Sequence, residues 1–218
     1  MYYVLVLLLT IWAYIMRIPI KPGTWTFLLL SFTVGYGDTI TFFTSGFFSA
    51  HVLANVIFSA YQMLHDGVLK GFLSLLSIPV YLGALLSARQ LFKSRSGGTD
   101  LIKAGGIMLI VSGLLSAVLT ATDILTSQIV CLFIAFLVVV AMGMISAAKY
   151  NTNPALLLSD SLVPAFWSQA RKLKNHGAFL VLAGFTAGCL AGAAAGNFVG
   201  LSGVILPGVL LFLFTMND

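Results

Sequence analysis

Apolar runs follow one another along the whole chain, separated only by short polar breaks. Each run approaches the roughly 20 residues that an α-helix needs to cross a bilayer. An isolated segment in lipid satisfies its own backbone only as a helix, so the runs predict helices and exclude strands. The candidate runs are 1–16, 24–44, 45–64, 71–92, 102–121, 127–148, 177–196 and 200–216, with a weaker one at 155–169.

The composition excludes most other kinds of protein. Hydrophobic residues make up 60% of the chain and charged residues only 8%, whereas a soluble domain carries about 25% charged residues. So few charges cannot cover a surface that faces water, which excludes a soluble enzyme, a nucleic-acid binder and a disordered tail. We therefore expect a multi-pass membrane protein whose main partner is the lipid bilayer.

Basic residues predict which loops face the cytoplasm, because Lys and Arg collect there in membrane proteins. The strongest cluster consists of Arg89, Lys93, Arg95 and Lys103. If this cluster is cytoplasmic and every run crosses the membrane, two other basic loops lie outside the cytoplasm. They contain Arg17 and Lys21, and the run 171–174. Both return to the cytoplasm if 45–64 and 155–169 do not cross the membrane, and only Lys70 then stays outside.

These assignments predict an all-α fold: a polytopic transmembrane bundle of about seven spanning helices with two short or re-entrant segments. Residues 1–218 form a single integral membrane domain. Residues 1–16 form an extra N-terminal helix, which we expect to be retained because a signal peptide would need a basic start and a cleavage site.

The two halves of the chain, 24–121 and 127–216, resemble each other weakly. The pair Gly35 and Gly37 in the first half corresponds to Ala141 and Gly143 in the second. With the assignments above, the two halves run in opposite directions across the membrane. This arrangement predicts an inverted repeat, which is common in transporters.

The string Thr33-Val34-Gly35-Tyr36-Gly37-Asp38 matches the filter of potassium channels, whose backbone carbonyls replace the hydration shell of the ion. However, the residues after Asp38 are almost continuously apolar, whereas the outer mouth of a filter lies in water. The chain also continues through further apolar runs that a pore-loop channel does not require. A cation channel is therefore the less favoured interpretation.

A wider pattern passes through the same residues. Gly35, Tyr36 and Asp38 form a Gly-aromatic-x-Asp motif. A second motif follows, and its members are Gly46, Phe48, His51, Val52 and Asn55. Further matches are a Leu/Pro/Val-rich run that includes Pro79 and Arg89, and the stretch AMGMISAA at 141–148.

Over about 24–216 this pattern resembles the YoaK-like family of bacterial integral membrane proteins, which is classed as a domain of unknown function. Leu53 and Ala54 stand where the family has Thr-Gly, and the second Thr-Gly-Asn is replaced around Asp160. The resemblance implies a multi-pass protein of the bacterial inner membrane. It supplies no activity.

Asp38 is the strongest candidate for a functional residue. A carboxylate inside a membrane helix costs roughly 2.5–3.5 kcal/mol on insertion scales, so it should face a polar cavity or a partner. Gly35 and Gly37 allow an unwound or closely packed backbone beside it. Asp38 either forms a cation or proton site or caps the segment that follows.

His51 and Asn55 are four residues apart and share one helical face. That face either lines a cavity with Asp38, where His51 could titrate near neutral pH, or provides hydrogen bonds for helix packing. Asp160 is the corresponding acid of the second half, and it either helps to hold a solute or is solvated in a loop. No His or Cys stands at ligand spacing, so no metal site is expected.

Small residues form a ladder near the end of the chain. Glycine recurs every fourth residue, at Gly184, Gly188, Gly192, Gly196 and Gly200. Such spacing lets helices approach closely, either within one chain or in a homo-oligomer.

The most consistent function is secondary transport of a small solute, coupled to protons or a cation. The alternative is a membrane scaffold or regulatory partner that transports nothing. We expect no enzyme activity and no cofactor, because the sequence contains no nucleophile–base pair and no phosphate-binding loop.

Overall fold

The structure is a computed structural model that describes residues 22–91, 98–122, 128–149 and 176–216. Every regular element in these ranges is helical. The helices are α1 Pro22–Ser45, α2 Ala54–His65, α3 Val68–Leu91, α4 Gly98–Ala121, α5 Gln128–Lys149, α6 His176–Phe198 and α7 Ile205–Met216, with a 3-10 helix at Gly200–Val204. The expected helix 1–16, the segment 155–169 and Asp160 lie outside the described residues.

Within the described ranges, five helices are long and apolar enough to cross a membrane, namely α1, α3, α4, α5 and α6. Helix α2 has 12 residues and is about 18 Å long, too short for a hydrocarbon core of about 30 Å. The expected span 200–216 is interrupted: its first five residues form the 3-10 helix, and α7 has 12 residues. Gly200 has a φ of +60° and lies beyond the end of α6, so it is not a rung of the ladder.

The direction of each helix follows from its contacts. The end of α1 lies beside the beginnings of α3 and α5, because all three line one cavity. We call this side the upper face and the side where α1 begins the lower face. Helices α3 and α5 therefore run down while α1 runs up.

The remaining directions follow from glycine contacts. Gly105, near the beginning of α4, lies against Ile145, near the end of α5, so α4 runs up. Gly106 and Gly208 adjoin each other and Gly113 adjoins Ile205, so α7 runs down along α4. Helix α6 runs up beside α1. The directions therefore alternate from α3 to α7, and α5 ends on the same face where α6 begins.

The glycine ladder packs α6 against α1. Gly184 lies against Leu28, Gly188 against Phe32 and Gly192 against Tyr36, with Gly196 near Ile40 and Phe43. The contacts advance by one turn along both helices together, so α1 and α6 are parallel and their backbones touch. Tyr36 then reaches past the ladder and donates a 2.8 Å hydrogen bond to the Gly203 carbonyl.

The close approach of α1 and α6 predicts that Gly192→Ala is destabilising. A Cβ at Gly192 would lie 2.5 Å from the Tyr36 carbonyl oxygen and 2.9 Å from its Cα. Because both atoms are backbone, a helix must move, at a cost of about 1–3 kcal/mol. Thermal unfolding in detergent should show a midpoint lowered by several degrees.

Gly83→Ala is the matched control, because a Cβ at this exposed position of α3 would meet nothing within 4 Å. It should leave the midpoint unchanged or raise it slightly. Equal losses for the two variants would contradict the assigned packing of α1 on α6.

Candidate functional site

The chain leaves α1 at the upper face and turns back into the bundle. Gly46 begins the turn with a φ of +78°, a left-handed conformation that glycine adopts without strain. Residues 46–53, which we call the re-entrant loop, reach Asp38, about 10 Å below the end of α1. Helix α2 starts from this depth and returns to the upper face. The interruption that the sequence predicted at 45–64 is therefore a descending loop and an ascending helix.

Asp38 holds the tip of the re-entrant loop. Its side chain is buried, with 3% of the residue exposed. The Oδ1 atom accepts hydrogen bonds from the Ala50 amide at 2.6 Å and from the His51 amide and Ser49 hydroxyl at 3.3 Å each. One carboxylate oxygen thus satisfies two backbone donors that the loop carries into the bundle.

The second oxygen of Asp38 pairs with His51. The Oδ2 atom contacts the Nδ1 atom of the imidazole, so the two predicted residues form one carboxylate–imidazole pair. The His51 side chain is 28% exposed and its ring meets the Phe185 ring of α6 edge to face, with centroids 5.6 Å apart. The pair therefore lies between α1, the re-entrant loop and α6.

Asn55 holds the other side of the re-entrant loop. Its amide accepts from the Phe48 N–H at 2.8 Å, donates to the Phe48 carbonyl at 2.7 Å and also donates to the Ser77 hydroxyl of α3 at 2.7 Å. Gln62 donates to the Gly46 carbonyl at 2.9 Å. These bonds attach the loop to α2 and α3, while Asp38 attaches it to α1.

Sequence reasoning missed most of this network. Ser59 donates to the Gly71 carbonyl and Ser74 donates to Gln62, so α2 and α3 are joined by polar contacts along their length. A signal was present in the sequence, because Asn55, Ser59 and Gln62 recur at the spacing of one helical face in an otherwise apolar segment.

Gly35 and Gly37 serve packing here. Gly35 lies against the Phe185 carbonyl and Cys189 of α6, and Gly37 lies against the Met142 side chain of α5. Neither unwinds the helix. Thr33 to Asp38 all lie inside α1, so their carbonyls run along a helix axis and do not form the ring that a channel filter requires.

In the ranges that the structure describes, no three His, Cys, Asp or Glu side chains come together as metal ligands. Cys189 of α6 packs against Gly35, one turn before Asp38, and Tyr36 is bonded to the Gly203 carbonyl. The arrangement can therefore share a proton between a buried carboxylate and an imidazole.

Removing the acceptor oxygens of Asp38 should destabilise the protein more than removing its charge. Asp38→Ala leaves the Ala50 and His51 amides unpaired inside the bundle, at about 1–3 kcal/mol for each buried donor. Asp38→Asn keeps one acceptor oxygen, so thermal unfolding should place its midpoint between those of wild type and Asp38→Ala. Equal midpoints for Asp38→Ala and wild type would exclude a structural role for the carboxylate.

Comparisons with known proteins agree with this description. No curated protein and no solved structure matches the chain. One family model, described as Protein of unknown function (DUF1275), matches residues 26–217. The YoaK-like proteins fall within that family, so the resemblance drawn from the two motifs is confirmed. The chain belongs to the DUF1275 family and is an integral membrane protein.

Proposed function

We propose that this protein is a proton-coupled secondary transporter of a small solute in the bacterial inner membrane. The observation that carries the proposal is the buried Asp38–His51 pair at the tip of the re-entrant loop. Re-entrant backbone occurs at membrane depth where it is buried in protein or lines a cavity, and acids at that depth mark ion and proton pathways.

The chemistry of the pair links protonation to movement. Ionised Asp38 offers acceptors to Ser49, Ala50 and His51. A protonated carboxyl is a weaker acceptor and carries a hydrogen that must itself find an acceptor. Because the Oδ1 atom of Asp38 holds two backbone amides of the loop, a weaker acceptor there weakens the attachment of the loop to α1.

The same event leaves the other attachment intact. Asn55 and Gln62 bind the loop through neutral amides, and protonation of the carboxylate does not change those bonds. The loop, α2 and α3 then move as one body away from α1. A proton at one carboxylate thereby controls access between two spanning helices, as coupled transport requires.

We further propose that the two halves form an inverted repeat. Helices α1, α3 and α4 run up, down and up, and α5, α6 and α7 run down, up and down. In this scheme α1 corresponds to α5 and α3 to α6. By this correspondence the counterpart of the α1–α6 contact is the contact between α5 and α3. There Gly143 of α5 lies against Tyr81 and Leu85 of α3.

The basic residues support a cytoplasmic lower face. The beginnings of α1, α4 and α6 and the ends of α3 and α5 lie at that face, and every Lys and Arg except Lys70 lies in or near one of these helix ends in the sequence. Lys70 lies at the upper face, at the beginning of α3. The re-entrant loop and the Asp38–His51 pair then open toward the outside.

Proton coupling predicts that Asp38→Asn abolishes solute-driven proton movement. In proteoliposomes loaded with a pH-sensitive dye, a panel of neutral, anionic and cationic metabolites should include one that acidifies the lumen through the wild-type protein. Asp38→Asn should lose this signal, because the amide cannot take up and release a proton.

Asp100→Asn is the matched control, since Asp100 is an acid in the first turn of α4 and does not line the cavity at the upper face. It should keep the signal. A panel that gives no response with wild type, or an equal response with Asp38→Asn, would argue against proton-coupled transport and favour the scaffold role.

The proposed orientation predicts the labelling of introduced cysteines in whole cells. In a chain whose native cysteines are replaced by serine, Lys70→Cys should react with an impermeant thiol reagent. Lys93→Cys and Lys172→Cys should react only after the cells are opened. Labelling of Lys93→Cys and Lys172→Cys on opposite faces would contradict the inverted repeat.

A further inference from the structure

We propose that the cavity at the upper face binds an uncharged, mainly apolar solute before transport. This inference rests on the proposed function and names the class of substrate. The cavity has a volume of about 670 Å³, within the range of about 300–1,000 Å³ that is typical of small-molecule sites. It lies between the upper ends of α1, α2, α3 and α5.

The walls of the cavity are mainly apolar. Each of the four helices contributes large hydrophobic side chains, such as Phe43 of α1, Phe58 of α2, Leu73 of α3 and Leu132 of α5. Aromatic and aliphatic walls of this kind suit a ring or a short branched chain, because burial of such a group removes apolar area from water.

The uncharged polar side chains of the lining are mostly hydrogen-bonded within the protein. Gln62 and Ser74 bond to each other, and Gln62 also bonds to Gly46. Thr44 donates to the Ile40 carbonyl at 2.7 Å. A bound solute therefore finds few unused donors or acceptors, which favours a molecule with few hydrogen-bonding groups.

The charges of the lining cancel. Among the residues that line the cavity, the ionised ones are Asp66 and Lys70, which pair with each other at 3.2 Å and are 40% and 48% exposed. A solute with a net charge would enter an apolar space with no unpaired counter-charge, and this desolvation is costly. The cavity thus selects against both anions and cations.

The position of the cavity connects it to the proton site. Gly46 and Phe47 of the re-entrant loop form part of its lining, while Ser49 to His51 of the same loop bind Asp38. The loop therefore separates the cavity from the carboxylate. Release of the loop would open the cavity toward the Asp38–His51 pair.

Cys131 provides a built-in reporter, because this free cysteine lines the cavity. In a Cys189→Ser chain in lipid nanodiscs, the alkylation rate of Cys131 by N-ethylmaleimide is measured by mass spectrometry. The probes are indole-3-acetamide, indole-3-acetate and tryptamine, which share one ring and differ in charge. At ten times its dissociation constant the neutral probe should leave about a tenth of the cavities empty and slow alkylation about tenfold.

The acetate and the amine should leave the rate unchanged. Equal protection by all three probes, or by none, would overturn the proposal. If instead the rate follows the acyl-chain length of the nanodisc lipid and ignores the neutral probe, a lipid tail fills the cavity and the proposal is wrong.

The second test fills the cavity with a larger side chain of the protein itself. Leu132→Trp should slow alkylation without any probe and abolish the effect of indole-3-acetamide, and Leu73→Trp serves the same purpose if the first variant does not fold. Leu182→Trp, on an exposed position of α6, is the matched control and should keep the effect.

The closing measurement repeats the protection assay in Asp38→Asn. Probe binding should persist there, because Asp38 does not line the cavity. In the wild-type protein, protection without proton-coupled transport would refute the proposed function alone, and transport without protection would refute the neutral site alone.

Discussion

The need to satisfy backbone polar groups away from water shapes this molecule. An interrupted helix inside a membrane bundle exposes N–H and C=O groups, each of which costs several kcal/mol if it stays unpaired. The re-entrant loop is such an interruption. Asp38 pairs the amides of Ala50 and His51, Asn55 pairs both backbone groups of Phe48, and Gln62 pairs the Gly46 carbonyl. Without these side chains the loop could not remain at that depth.

The same need explains why α2 is polar inside and apolar outside. Its buried face carries Asn55, Ser59 and Gln62, whereas Ile57 and Leu64 are 79% and 84% exposed. In a water-soluble protein this arrangement would be inverted, but in lipid the exposed side must be apolar. In the proposed mechanism the structural and functional roles of the site coincide: the bonds that hold the loop are the bonds that a proton at Asp38 would weaken.

The sequence predicted the helices of the described residues well, because a membrane span leaves a direct signal in hydropathy. It also indicated that Asp38 needs polar partners, since an acid in an apolar run is costly wherever it points. It could not predict that Asp38 binds the amides of Ala50 and His51, because backbone donors leave no mark in a sequence. Gly200 continues the four-residue spacing of the ladder, yet its positive φ places it beyond α6. Spacing alone does not distinguish a packing glycine from one that ends a helix.

The proposed repeat is symmetric in its helices and asymmetric in its chemistry. If Gly37 corresponds to Gly143, then Asp38 corresponds to Met144, whose side chain has no ionisable group. The re-entrant loop at the upper face is then held by the charged side chain of Asp38. The corresponding side chain of α5, that of Met144, is an uncharged thioether. In alternating access a proton would therefore be sensed from one side, the side without basic loops. In the proposed location and orientation that side is the more acidic one, so protonation of Asp38 from outside would open the loop, and loss of the proton after the change in access would restore its attachment to α1.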